Sequence, residues 1–312
     1  MTNGWDFVCP FVVVIYHRGM LCFDQKKNNN RKSGFIVWLA KFSRGGSIMR
    51  LRQICLVAEN LQTSLETLAE LLGSPVVFRD PDVAHFGLEN GLIMTGGDFV
   101  EVVSPLANIG DTAAGRHLAR YGDGFYMAIF QCANADPLIT HIKENGGRGV
   151  FEIDSGGVRA THFHPKDFGG AIVSVDSMGR DDWQSPQAYW QWAHWPPKNT
   201  AAPDTDTSVG ALAGLRVSAG APSDMQNQWA HFLQRPKEND RLLFDGAEIA
   251  FHEGDTPRAA ISDIYFHAGR ESVSAIHARA ERLGLPMQNG GVSFGGVVWH
   301  FGDAPAAHKA ST

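Results

Sequence analysis

An internal repeat constrains this chain more than any other feature. The stretch GGDFVEVVSPL, Gly96–Leu106, is echoed by GGAIVSVDSM, Gly169–Met178, 73 positions further on. Laying Leu51–Ser104 over Gly124–Ser177 without a gap gives ten identities in register, among them Leu65/Leu138, Gly73/Gly146, Val77-Phe78/Val150-Phe151 and the two Gly-Gly pairs. A window of that length gives about three by chance at ordinary residue frequencies. A chain that repeats itself in this way builds one supersecondary unit twice. The copies differ where it matters for chemistry: Glu101 in the first becomes Ser174 in the second.

Each copy has the same grammar. RQICLVAEN is a short apolar run of strand character. LQTSLETLAELLG then places Leu65, Leu68, Leu71 and Leu72 on one helical face and ends in Gly73. SPVVFRD, VAHFGLENGLIM and DFVEVVSP read as three strands, separated by Pro, Asn-Gly and Gly-Gly turn signals. The second copy runs FYMAIFQCA, ADPLITHIKENGG, GVFEID, RATHFHP and GGAIVSVDS. A looser pair follows from Gly214, with helices DMQNQWAHFLQ and SVSAIHARAERLGL and strands AEIAFHE and GGVVWHF. The expectation is an α+β chain of four βαβββ modules, paired into one domain over 49–180 and a divergent one over 211–303. A linker over 181–210 separates them, each domain has its own core, and 304–312 is a tail.

Composition excludes some partners. The formal charge is −6 over 312 residues and no Lys/Arg run marks a phosphate-binding face, which argues against nucleic acid. The four cysteines show no CxxC spacing; Cys55 and Cys132 lie inside apolar strands, as reduced core residues of a cytoplasmic protein do. Residues 1–48 do not share the pattern. Their apolar run Phe7–Tyr16 is too short to span a bilayer and lacks a basic flank. They read either as a targeting or surface-anchoring segment or as a start-site artefact with Met49 as the natural first residue, and the second reading is preferred. No membrane partner is expected.

Paired βαβββ modules with these strands resemble the vicinal oxygen chelate superfamily, which includes glyoxalase I, methylmalonyl-CoA epimerase, extradiol dioxygenases and bleomycin-resistance proteins. QICLVAENL resembles the family's first strand, with Gln53 at its His position. FVEVVSPL resembles its ligand strand, with Glu101 at the carboxylate position. FHPKDFGGAIVSV resembles the epimerase-like His-Pro-Lys motif, carried here by His164, Pro165 and Lys166. The resemblance implies cups formed by paired modules, each able to surround one divalent ion (Mn, Fe, Zn, Ni or Co) with four inward residues. In the first half those positions are Gln53, Glu101, Tyr126 and Ser174. Phenol and hydroxyl are weak ligands at neutral pH, so the metal set is expected to be Gln53, Glu101 and His162. Glu101 is then the candidate base, and Tyr126, His164 and Ser174 the substrate-binding residues. In the second half Gly214, Ala250, Asp263 and His300 take these places, leaving Asp263 and His300 as a weaker candidate pair.

Each residue also has a plainer role. Glu101 could be a hydrogen-bonded buried carboxylate, His164 a turn former, His85 a strand surface residue, and the Trp183–Trp195 aromatic cluster packing that docks the linker. Two functions therefore stand open. One is a small-molecule enzyme, an isomerase, lyase or dioxygenase, with a degenerate metal site in the first half. The other is a metal-free binding protein of the bleomycin-resistance type, needing no cofactor. Either takes a small-molecule ligand, and a homodimer is compatible with both.

Overall fold

The computed structural model describes residues 11–16, 19–24, 48–106, 110–197, 209–254 and 259–302. It divides into two units, 1–46 and 47–312. Within the first, β1 (Phe11–Tyr16) and β2 (Gly19–Asp24) pair antiparallel. The expectations for the rest of residues 1–48 and for 304–312 lie outside the described residues.

The second unit holds two eight-stranded sheets of identical plan. The first has strands β3 (Met49–Val57), β4 (Val76–Phe78), β5 (Leu88–Thr95), β6 (Asp98–Pro105), β7 (Gly124–Cys132), β8 (Gly149–Ser155), β9 (Val158–Phe163) and β10 (Ile172–Ser177), in the spatial order 4-5-6-3-7-10-9-8. The second has β11 (Leu212–Ala219), β12 (Lys237–Glu238), β13 (Arg241–Leu243), β14 (Glu248–Glu253), β15 (Ala260–His267), β16 (Met287–Gln288), β17 (Gly291–Phe294) and β18 (Val297–Gly302), in the order 12-13-14-11-15-18-17-16. In both, the first strands of two modules pair antiparallel at the centre, and each pairs parallel with the last strand of its own module. That is the pairing of βαβββ modules expected from the repeat.

Helices α1 (Leu61–Leu72), α3 (Asp136–Glu144), α4 (Pro222–Leu233) and α5 (Arg270–Arg282) follow the four first strands; α2 (Ala113–Tyr121) bridges the first two modules. Helix α1 shows why these segments are helical. Asn60 caps it by accepting from the Thr63 N–H, Leu61, Leu65, Leu68 and Leu72 bury one face, and Gly73 closes it in the left-handed region at φ 66°. Each of those leucines contributes roughly 1.5–3 kcal/mol by leaving water. Helix α2 is absent from the sequence expectation, although Thr112 caps it and Gly122 ends it. The expected strand from Val83 also begins late. Asp80 as cap, Pro81 in the first turn and left-handed Gly87 make Pro81–Phe86 a 3-10 turn, so His85 is not a strand residue.

The separate cores expected for the two halves are instead one. A single apolar cluster includes Leu65, Leu68 and Phe130 of the first half with Trp229, Phe244, Ile264 and Trp299 of the second. Phe130 stacks on Phe244 with centroids 4.8 Å apart, and Phe168 meets Trp229 edge-on at 5.2 Å. The opposite, concave face of the first sheet carries a second cluster, including Cys55, Leu92, Phe99, Met127 and Ile129. It is capped by residues from the expected linker.

That cap is a strap over residues 183–195. Arg50 Nη1 donates to the carbonyls of Gln184 and Ser185, both at 3.2 Å, and Arg52 Nη2 donates to Ala188 at 3.0 Å. Asp98 balances both guanidiniums, at 2.5 Å from Arg50 and 3.8 Å from Arg52, and accepts the Leu212 N–H from the second half. Trp190 and Trp195 exchange backbone hydrogen bonds, closing a tight loop that puts both indoles into the concave cluster. The first Gly-Gly pair is explained here. Gly96 and Gly97 have φ of 56° and 94°, and a Cβ on Gly97 would sit 2.6 Å from Pro186 of the strap. Residues 198–208, the remaining centre of the expected linker, lie outside the described residues.

Candidate functional site

The concave face of the first sheet encloses a cavity of about 860 Å³. Strands β3, β6, β7 and β9 aim Gln53, Glu101, Tyr126 and His162 into it, as alternation along each strand dictates. The 3-10 turn adds Asp80, Asp82, His85 and Phe86, and the strap adds Trp192. Three expected metal residues and one expected binding residue thus share one chamber.

Its polar floor is a directed hydrogen-bond chain. Trp190 Nε1 donates to Gln53 Oε1 at 2.6 Å. Gln53 Nε2 donates to Glu101 Oε2 at 2.9 Å, and Asn90 Nδ2 donates to Glu101 Oε1 at 2.7 Å. Burial raises the Glu101 carboxyl above the ordinary range; hydrogen bonds from Asn90, Cys55 and Gln53 offset this in part. Burial, and then the neighbouring Glu101, pushes the Cys55 thiol well up, so it stays protonated and can donate. Burial likewise raises the Tyr126 phenol. His162 is half-buried and opens onto the cavity, and desolvation lowers it to about 4, so the ring is neutral at pH 7. Phe151 packs on it at 5.1 Å.

Indole N–H is a donor only. Trp190 therefore fixes the orientation of the Gln53 amide: its oxygen faces the strap and its NH₂ faces Glu101. A divalent ion bridging Gln53 and Glu101 needs the amide oxygen where that NH₂ now stands. Flipping the amide would aim Gln53 Nε2 at the Trp190 N–H, donor against donor. Among the described residues no three His, Cys, Asp or Glu side chains converge as metal ligands. The donor set as arranged does not fit a divalent ion.

Ser174 lines neither of the large cavities. It is fully buried and donates to Asp176, which also accepts from Trp192 Nε1 at 2.6 Å. Burial pushes the Asp176 carboxyl up to about 7, although both bonds favour its ionised form. His164 caps the 3-10 turn Pro165–Asp167: its Nδ1 accepts the Lys166 N–H at 3.1 Å, which places the ring N–H on Nε2. It lines a second cavity, of about 1000 Å³, together with Tyr126.

In the second half Asp263 and His300 do meet, at 2.7 Å. Ser262 Oγ donates to Asp263 at 2.6 Å and Arg216 lies 3.7 Å away. Burial pushes the Asp263 carboxyl up, but His300, Ser262 and Arg216 outweigh it and hold it below its usual range. His300 stacks on Tyr265 at 4.5 Å. Arg216, rather than Gly214, is the β11 side chain at this cluster; a Cβ on Gly214 would lie 2.1 Å from the Glu248 carbonyl.

Asn90 and Asp176 were not singled out from sequence, and Cys55 and Trp190 were read only as a core thiol and as linker packing. Asn90-Gly91 reads as a turn, yet it lies within β5, where Asn90 is buried and a Cβ on Gly91 would meet Leu65 Cδ1 at 2.5 Å. Asn90 shares its face of β5 with Leu88, Leu92 and Met94, and a lone amide in that apolar set beside Glu101's strand is the signal that was available.

No family model matches the chain, and no curated protein matches it. Among solved structures, a variant of 4-hydroxymandelate synthase from Streptomyces coelicolor superimposes over 77% of this chain and 76% of its own, with 13% identity and a TM-score of 0.56. A methylmalonyl-CoA epimerase variant from the same organism covers 42% of this chain and 95% of its own, at 21% identity and a TM-score of 0.36. The epimerase from Mycobacterium tuberculosis covers 47% and 99%, at 18% identity and a TM-score of 0.39.

Proposed function

We propose that this chain, which has the fold of the vicinal oxygen chelate superfamily, binds a small, largely apolar molecule in its first cup, with a hydrogen-bond chain in place of the metal. The observation that carries this reading is the direction of the Gln53 amide, locked by Trp190 so that an N–H faces Glu101. The chamber's volume of about 860 Å³ suits a small ligand. Aromatic walls from Phe86, Phe151, Tyr126 and Trp192 offer stacking surfaces. The test is fluorescence titration with N-phenylnaphthylamine, an uncharged aromatic probe. One saturable site per chain, lost when Ile129→Trp fills the chamber without lowering the melting temperature, supports the reading. No saturable binding by the parent refutes it.

One observation favours a second reading: Glu101 is a desolvated carboxyl with raised proton affinity facing a ligand chamber. Such a group suits proton abstraction next to a carbonyl, the chemistry of an isomerase or lyase. Solvent-deuterium exchange into a panel of α-branched ketones and thioesters, absent in Glu101→Gln, would support it; no exchange by the parent would count against it.

A further inference from the structure

The two large cavities are adjacent. Ala113, Tyr126, Val150 and Ile172 line both, so the outer one borders the first cup. Their charges are sorted. The cup carries Asp80, Asp82 and Glu101 and no Lys or Arg among its lining residues. The outer cavity carries Arg116, Arg120 and Lys166 against a single carboxylate, Asp224. Arg116 lines the outer cavity together with Tyr126, which borders both spaces. Carbonyls of Gly110 and Asp111 hold one of its nitrogens, at 3.4 and 3.2 Å. His164 adds an Nε2–H donor to the same wall, since its Nδ1 accepts from Lys166. The remaining boundary comes from the second half, at Gly220, Asp224 and Gln228. The outer space exists because the two halves share one core and bring α4 against the 164–170 turn.

We infer that the ligand is an elongated anion: an uncharged apolar head occupies the cup, and a phosphate, sulfonate or carboxylate group lies outside it between Arg116, Arg120 and Lys166. This rests on the small-molecule reading above. An anionic head is disfavoured in the cup, where Asp80, Asp82 and Glu101 are the carboxylates, no Lys or Arg balances them, and His162 is neutral. Reversing the ligand would put its apolar part among three exposed cations and its charge in a desolvated chamber.

Two probes with the same ring system separate the claims. Anilinonaphthalene sulfonate carries the anion and N-phenylnaphthylamine lacks it. The triple variant Arg116→Gln, Arg120→Gln, Lys166→Gln alters exposed side chains only, so it should fold. The readout is the ratio of the two affinities. The sulfonate should lose about tenfold relative to the uncharged probe at low salt, as expected for three screened charges. Added salt should weaken sulfonate binding in the parent and not in the variant. An unchanged ratio, with both probes still bound, overturns the inference and leaves the small-molecule reading standing. Failure of both probes to bind the parent overturns both.

Discussion

Replacing Trp190 by Phe isolates the interaction on which the functional reading turns. The indole is fully buried, and its N–H is the donor to Gln53 Oε1 at 2.6 Å. Phe leaves that buried oxygen without a partner, a loss of about 1–3 kcal/mol. The smaller ring leaves a void worth about 1 kcal/mol. The Arg52 guanidinium, 5.7 Å from the Trp190 ring, loses a few tenths more at most. The sum is about 2–4 kcal/mol. Urea unfolding followed by far-ultraviolet circular dichroism measures it without relying on the altered fluorophore. A cycle with Gln53→Met gives the specific term. Once the amide is gone the orphaned oxygen is gone too, so the double variant should be less destabilised than the sum by about 1–3 kcal/mol. Additivity within about 0.5 kcal/mol would refute the claim that Trp190 holds the amide.

Asp98 is the only carboxylate within ion-pair reach of both Arg50 and Arg52 among the described residues, so Asp98→Asn should cost about 3–5 kcal/mol and move the first proteolytic cuts into the strap near 183–188. A cost below about 1 kcal/mol with an intact strap would contradict that role. Asp176, raised to about 7, binds its proton more tightly in the folded chain than in the unfolded one. Between the unfolded value near 4 and 7 the folded chain therefore holds the extra proton, so stability falls as pH rises, by up to about 1.4 kcal/mol per pH unit from this group. Asp176→Asn should flatten that fall in urea titrations across pH 4–7, and an unchanged slope would show that Asp176 does not supply it.

The fold was legible because its signals are local and repeated: Leu65 of α1, the glycine after that helix, and the Gly-Gly turns between paired strands all recur in register. What sequence missed was non-local. Trp190 meets Gln53 across 137 positions, and nothing near either residue marks the meeting. Gln53 and Glu101 were legible as neighbours, since β3 and β6 pair in parallel, but not the direction of the amide between them. The linker composition concealed a strap because its carbonyl anchors carry no sequence signature and are held by two arginines of β3, far away in sequence. The shared core was concealed for a related reason: an apolar helix face does not say which half will cover it.

The central claim is that the chelate position of the first cup is filled by protein hydrogen bonds. Elemental analysis of gently purified parent protein and of Glu101→Gln, after incubation with Mn²⁺, Fe²⁺, Co²⁺, Ni²⁺ and Zn²⁺ and removal of free ion, tests it most directly. Metal far below one ion per chain in both proteins, with no difference between them, is the expected result. Near-stoichiometric metal in the parent that disappears in Glu101→Gln would contradict it, and would show that the Gln53 amide turns away from Trp190 to serve as a ligand.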